Sequence, residues 1–468
     1  MERVIDEDED EERSSTMLFL KLYELKLRDL PKLTTFCNST ANFVEMSSLF
    51  RLWIENCPVV QAFISNSTCG GMTSSSKENA EMSAKENYTR MQSLFDKKVR
   101  FPSLEILSID YADELVKIWD DQLSSDSFYK LNRVSVCFCR RLVSVFPSNM
   151  LGRHKKLEWL QVRNCDSVEE IFEVLEKRSS EVEEIVDNEE AAPRFVFSKL
   201  TRLYLHMLPS LKSLYPKVHI SEWPNLKKLK AHGCVNMEIF ASEFLSIRGT
   251  HGESQQPLFL VYKDAFPRLE ELELTEMPRL LHLWIGDSQP SNAFKNLKTL
   301  KVSGCGSLEN SWSTTVSFQN LENLQVSKCD GLRYLLTPLK AKTLDQLTRM
   351  NVSDCKMMEE IITHLGDEVL QDPIVFNRLD CLELHCLSSL KSFCCGDYTL
   401  EFPRLKKVIV RQCLKMETFC HGVITTPKLQ KLQLTEGEDE VEECWEGNLN
   451  STVQHLFKNM NVRSSKED

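Results

Sequence analysis

The chain has 468 residues, 42% of them hydrophobic, with 57 Lys and Arg against 69 Asp and Glu, for a formal charge of −12. That apolar fraction is ordinary for a folded soluble protein and excludes wholesale disorder. No apolar run approaches the roughly 18 to 20 residues needed to cross a bilayer, so no membrane span is expected.

The chain opens on MERVIDEDEDEE, eight acids in twelve residues. This segment lacks the basic start and apolar middle of a secretory signal. Residues 1–17 are therefore expected to form an acidic disordered tail, and the chain to be cytoplasmic. In a reducing compartment the 17 cysteines stay reduced, and the five sequons at Asn38, Asn66, Asn87, Asn351 and Asn450 stay unmodified.

From Leu22 onward a pattern recurs: Leu-x-x-Leu-x-Leu-x-x, then Cys or Leu/Met, then x-x-Leu. Copies begin at Leu22 and Leu49, and a segment rich in Ser, Thr, Asn, Lys and Glu (residues 64–98) reads as an insertion. Further copies begin at Leu104, Leu131 and Leu157, the last running Leu157-Glu-Trp-Leu160-Gln-Val162-Arg-Asn-Cys165. Copies at Leu200 and Leu226 follow an insertion at 173–193, and those at Leu269, Leu297, Leu321 and Leu347 follow one at 241–264. After an insertion at 362–375 come Leu379, Leu405 and a partial copy at Leu429, then an acidic and polar tail over 436–468. This makes about fourteen units over 18–435, spaced 24 to 28 residues apart where nothing is inserted. Outside the acidic stretches 1–12, 173–190 and 436–446, the chain carries 54 bases and 46 acids, a mildly basic body.

A fixed period of this kind overrides a domain count taken from length. Leu-x-Leu at positions four and six has period two, so both side chains enter one core while the residues between them point away. Residues at position nine and beyond, such as Val168, Ile171 and Phe172, carry the chain back over the same core. One coil cannot bury its own apolar face and is stable only between neighbours. The expected fold is therefore an α/β leucine-rich-repeat solenoid, a curved horseshoe with a parallel β-sheet on its concave face. Irregular loops and short helical turns are expected on the convex face. Strands about 4.8 Å apart would make the sheet roughly 65 Å long.

Cys57, Cys139, Cys165, Cys234, Cys305, Cys329, Cys355 and Cys413 all occupy position nine. A thiol there acts as a small buried hydrophobe with a weak donor. Ladder cysteines about 25 residues apart do not have zinc-ligand spacing, so neither metal nor cofactor is expected.

Phe101-Pro-Ser-Leu, Phe266-Pro-Arg-Leu and Phe402-Pro-Arg-Leu lead into strands, and units end in Leu-x-x-Ile-Trp (115–119) or Val-x-x-Ile-Phe (168–172). With the alternation of Cys-type and Leu-Pro-type units, this pattern resembles the carboxy-terminal leucine-rich repeats of plant coiled-coil nucleotide-binding disease-resistance proteins. The resemblance covers residues 18–435. It implies a recognition module of plant innate immunity that senses a pathogen effector or a guarded host protein. It also implies contact with a nucleotide-binding domain, in cis or in trans. The chain has no Gly-x-x-x-x-Gly-Lys-Ser/Thr loop to cradle phosphates, so that switch is expected to be supplied elsewhere.

Positions three, five and seven point out from the expected sheet. In four consecutive units they include Arg133; Trp159 and Arg163; Arg202, Tyr204 and His206; Lys228, Lys230 and His232. Aromatics and arginines are the usual anchors of protein interfaces, so this strip is the candidate site, suited to an acidic protein partner. His206 and His232 share a repeat position but have no third ligand to make a metal site. No hydrolase elbow or His-Glu-x-x-His is present, so no enzyme is expected, and no nucleic-acid motif accompanies the basic strip. The competing reading is an F-box-type substrate adaptor of a ubiquitin ligase, which would need an F-box before the repeats.

Overall fold

In a computed structural model, the structure describes residues 3–6, 17–38, 43–65, 92–147, 150, 153, 155–173, 194–215, 220–237, 258–261, 266–286, 294–309, 318–364, 372–430, 432–433 and 446–464. The chain divides into two units, Met1–Ile220 and Ser221–Asp468. Both are stacks of leucine-rich coils, and the fold is a leucine-rich-repeat solenoid.

In the first unit, strands Glu24–Arg28, Arg51–Glu55, Ile106–Asp110, Arg133–Cys137, Trp159–Arg163 and Arg202–His206 pair in parallel, in chain order. In the second, Lys228–His232, Glu271–Thr275, Thr299–Ser303, Asn323–Ser327, Arg349–Ser353, Cys381–His385, Lys407–Arg411 and Leu432–Gln433 do the same. These are the Leu-x-Leu segments. In Trp159–Arg163, Leu160 and Val162 are buried while Arg163 is exposed. Register is residue for residue, so equivalent repeat positions line up as rows: Ile106, Arg133, Trp159 and Arg202 are successive Cα partners.

Each five-residue strand of these sheets is followed by a left-handed residue at position eight. Asn56, Phe138, Asn164, Glu276, Lys328 and Asp354 have φ of 52–55°, and Gly233 and Gly304 reach 66° and 67°. The twist aims the N–H of that residue along the sheet rather than across it. Asn164 donates to the His206 carbonyl at 2.9 Å and Lys328 to that of Ser353 at 3.0 Å. The bend thereby extends the sheet's ladder by one rung and turns position nine into the core. There the thiol of Cys165 donates to the carbonyls of Arg163 (3.3 Å) and Val136 (3.8 Å), and that of Cys329 to Ser327 (3.2 Å) and Val302 (3.9 Å). Burial pushes the Cys413 thiol up to about 11 and Cys394 up to about 12, far from reactive thiolates.

A non-glycine residue in the left-handed region carries a steric cost of roughly 1–2 kcal/mol, partly offset by the larger unfolded-state entropy of glycine. Lys328 is exposed. Lys328→Gly should raise unfolding stability by about 0.5 kcal/mol in urea titration, and the β-branched Lys328→Val should lower it by about 1 kcal/mol.

The return path of each coil is mainly extended, with short parallel ladders such as Ser93–Phe95 with Lys117–Trp119 and Ser144–Pro147 with Glu170–Glu173. Among the described residues the α-helices are Pro338–Ala341 and Leu449–Ser464. An aromatic column runs through the first unit. Phe36 stacks on Phe63 at 4.5 Å, Phe95 and Phe128 pack against Trp119 at 5.4 and 4.7 Å, and Phe146 stacks on Phe172 at 5.5 Å. Trp119 is fully buried, and its indole N–H donates to the Val145 carbonyl at 2.9 Å. The Phe-Pro phenylalanines Phe101, Phe266 and Phe402 are also fully buried.

Two boundaries differ from the sequence expectation. Residues 1–17 are not wholly a disordered tail: Arg3–Asp6 pairs with Thr35–Asn38, and Met17–Leu18 pairs with Val44–Glu45. Val4 and Ile5 supply the extended, β-branched segment that the flanking acids conceal in composition. The inserted segments also give residues back to the coils. Leu94 and Phe95 are buried within 64–98, and Phe259 and Ile374 within 241–264 and 362–375. Most of 64–98 and 241–264, residues 174–193 and 365–371, and 434–445 lie outside the described residues.

The first turn of Leu449–Ser464 packs against the second unit beside Thr418 and Cys420. Asn448 caps this helix by accepting from the Ser451 N–H at 2.8 Å. Leu449 and Thr452 are fully buried. The Asn450 carboxamide brackets Cys420, accepting from its N–H at 2.9 Å and donating to its carbonyl at 3.0 Å.

Candidate protein-recognition face

The nine candidate residues divide between the two units, six in the first and three in the second. In the first, Arg133 lies with its guanidinium carbon 4.9 Å from the centre of the Trp159 ring. Tyr204 meets Trp159 edge to face, with centroids 6.2 Å apart at 78°. Among the described residues neither Arg133 nor Arg202 forms an ion pair, and both are exposed. Arg163 is more constrained: it lies 5.8 Å from the Phe138 ring and donates to the Asn164 side chain at 3.0 Å. His206 ends the same strand as Arg202 and is partly buried.

The strip extends in a direction that sequence reading missed. A groove of about 370 Å³ is lined by Arg51, Trp53, Ile106, Ser108, Arg133, Ser135 and Trp159. Trp53 and Trp159 stand at its two ends, the small Ser108 and Ser135 leave the floor low between them, and the arginines hold the rim. Arg51 and Trp53 occupy positions three and five of the unit from Leu49, so the rule that selected Arg133 and Tyr204 also selects them. Lys26 lies 4.5 Å above Trp53 and pairs with Glu24 at 2.6 Å, and Glu24 also reaches Arg51 at 3.5 Å.

The second unit treats its three candidates differently. Lys228 pairs with Glu271 at 2.6 Å, and Lys230 with Glu271 at 2.6 Å and Glu273 at 3.0 Å. His232 Nδ1 lies 2.6 Å from Thr275 Oγ1, and its Nε2 lies 3.5 Å from Glu276. The two lysines are largely neutralised by the neighbouring strand. Partial burial raises the Glu271 carboxyl, but the two lysine ammonium groups outweigh it and hold it down at about 2, against an ordinary 4.5. A carboxylate depressed in the fold adds stability above its unfolded value and loses it as pH falls toward the folded one. Glu271→Gln should therefore be less stable than the native chain at pH 7, and the difference should shrink between about pH 4.5 and pH 2 in denaturant titrations.

Among the described residues, no group of three or more His, Cys, Asp or Glu side chains is placed to hold a metal ion. No described helix is long and apolar enough to cross a membrane. The family model described as plant disease resistance protein RPS2-like, leucine-rich repeats, matches residues 97–246, 250–317 and 310–444. The chain belongs to this family. No curated protein matches it.

The RPS2-like repeats thus include the strands that carry all nine candidate residues. Arg51 and Trp53 precede the matched residues but repeat the same pattern in the same sheet. In the RPS2-like array, row positions carry the surface chemistry while Leu, Val and Cys positions carry the fold. A repeat scaffold of this kind interacts with proteins through exposed rows.

Proposed function

We propose that this chain is the recognition part of a cytoplasmic plant immune receptor. It senses a pathogen effector or a guarded host protein on the outward face of the first unit's sheet, and regulates a nucleotide-binding switch supplied elsewhere. Family membership supports the defence context, and one observation carries the choice of surface: the Arg133–Trp159–Tyr204 cluster beside the Trp53 groove. It joins large aromatic surface to the guanidinium of Arg133, which forms no ion pair among the described residues, and this is the composition of interface hot spots. The net attraction is toward an acidic partner surface, because Arg133 and Arg202 flank Trp159 in one row and form no ion pair among the described residues.

The test is titration calorimetry with each protein recovered on the chain from infected tissue. A partner that binds the native chain and fails to bind Trp159→Ala supports the reading. If every such protein binds both chains equally, the surface is wrong.

A further inference from the structure

In the first unit, the bases of the strands Glu24–Arg28 and Arg51–Glu55 are closed onto acids. Glu24 holds Lys26 at 2.6 Å and reaches Arg51 at 3.5 Å, and Glu55 holds Arg28. The strands Arg133–Cys137, Trp159–Arg163 and Arg202–His206 differ, because they contain no Asp or Glu at any position. There Arg133 and Arg202 stand one rung to either side of Trp159 in residue-for-residue register. Both are exposed, and among the described residues neither side chain has an ion-pair or hydrogen-bond partner. Their main chains lie two rungs, about 10 Å, apart, a gap that two long side chains leaning inward close over one shared group. Two further donors stand beside them, the indole N–H of Trp159 and the hydroxyl of Tyr204, which meets Trp159 edge to face. Among the described residues neither has a hydrogen-bond partner.

We propose that this acid-free basin binds a phosphorylated side chain of the protein partner, with the phosphoryl group shared between the Arg133 and Arg202 guanidiniums across Trp159. The inference rests on the recognition reading of this face and names what the partner presents to it. Phosphate is chosen over carboxylate by counting acceptors. One guanidinium fork takes both oxygens of a carboxylate, so a single Asp or Glu of the partner satisfies Arg133 or Arg202 and leaves the other without an acceptor in the interface. A phosphoryl group carries three terminal oxygens and a charge of about −1.5 to −2 at pH 7, and it meets both forks at once. The guanidinium carbon of Arg133 already rests 4.9 Å from the centre of the Trp159 ring, so one fork is held in place before a ligand arrives. The second unit has the opposite arrangement. Lys228 and Lys230 are committed to Glu271 and Glu273, and an ammonium is a point charge with no fork to offer.

The probes are short alanine-glycine peptides with a central phosphotyrosine or phosphoserine, and the same peptides with glutamate in its place, titrated onto the full chain by fluorescence anisotropy. At least one phosphopeptide should bind roughly tenfold more tightly than its glutamate counterpart. Arg202→Lys keeps the charge and removes the fork, and should lower that preference by roughly fivefold with circular dichroism unchanged. Arg133→Gln should abolish it, and Lys228→Gln should leave it as it was. The proposal is overturned if neither phosphopeptide exceeds its glutamate counterpart, if Arg202→Lys keeps the full preference, or if inorganic phosphate competes at equal concentration, since the basin would then hold a free anion. Failure of the recognition reading is seen separately. A partner lost on Trp159→Ala whose binding survives phosphatase treatment keeps that reading and overturns this inference. A phosphopeptide preference with no partner sensitive to Trp159→Ala leaves the phosphoryl site standing and removes the recognition reading.

Discussion

Truncating Trp119 to alanine should lower the stability of the first unit by about 4 to 5 kcal/mol, the largest single effect expected in the molecule. The indole is fully buried between Phe95, Phe128 and Phe146. Removing it leaves a cavity that rigid rings on three sides cannot collapse to fill; such large-to-small changes cost about 3–5 kcal/mol. It also orphans the Val145 carbonyl, for roughly another 1 kcal/mol. Trp119→Phe separates the two contributions. It keeps most of the aromatic volume and loses the hydrogen bond, and should cost about 1–2 kcal/mol. The measurement is urea unfolding followed by circular dichroism. A loss below about 1 kcal/mol for the alanine variant would mean that the column is not what holds these coils together.

For function, the largest effect is expected from Trp159→Ala combined with Arg133→Glu. This pair should weaken binding of a verified partner at least 100-fold, equivalent to about 2.7 kcal/mol. The tryptophan offers the broad apolar surface, and its contact with Arg133 at 4.9 Å fixes the guanidinium over the groove. Cation–π contact at an exposed site is worth only about 0.5–1 kcal/mol within the free chain, so fold stability should barely change. The rest of the loss arises at the interface, where the glutamate replaces attraction with repulsion. A Lys228→Ala control should have little effect, because that lysine already faces Glu271. Equal loss in the control would assign recognition to the second unit. Unchanged affinity in the double variant would remove the groove from the account.

The main sheet is legible in the sequence because Leu-x-Leu has a period that only a strand matches, and because the motif recurs often enough to fix register. Alternation alone assigns Trp159, Gln161 and Arg163 to the outward side, and the burial pattern agrees. The return ladders are not legible. Runs such as Ser144–Pro147 have no alternation, with all four residues buried, and periodicity alone cannot separate a short buried strand from a helical turn. The left-handed bends are also hidden, since Tyr111, Phe138 and Met207 are not residues that advertise positive φ. The coil there is dictated by stacking, which overrides local preference. At the candidate site, residue type marks the aromatic-basic strip but not which bases are committed to acids of the chain. Lys230 and Arg202 look alike in sequence, and only the strand beside each decides that one is held by Glu271 and Glu273 while the other is exposed.

The row geometry bears on how such a surface changes over time. Rung spacing and register are set by main-chain bonds and by the inward Leu, Val and Cys residues, and positions three, five and seven take almost no part in either. Replacements at those positions are close to neutral for folding where the side chain has no partner on the next strand, typically within about 0.5 kcal/mol, and cost more where it does, as at Glu271. A lineage can redraw the rows one side chain at a time, trading an arginine for a glutamate or a tryptophan for a serine, while the coils beneath remain the same. On these rows the first unit sets Trp159 between the exposed Arg133 and Arg202, and the second closes Lys228 and Lys230 onto Glu271 and Glu273. The two faces thus differ in chemistry while sharing one residue-for-residue register, so either can be altered without disturbing the other's fold.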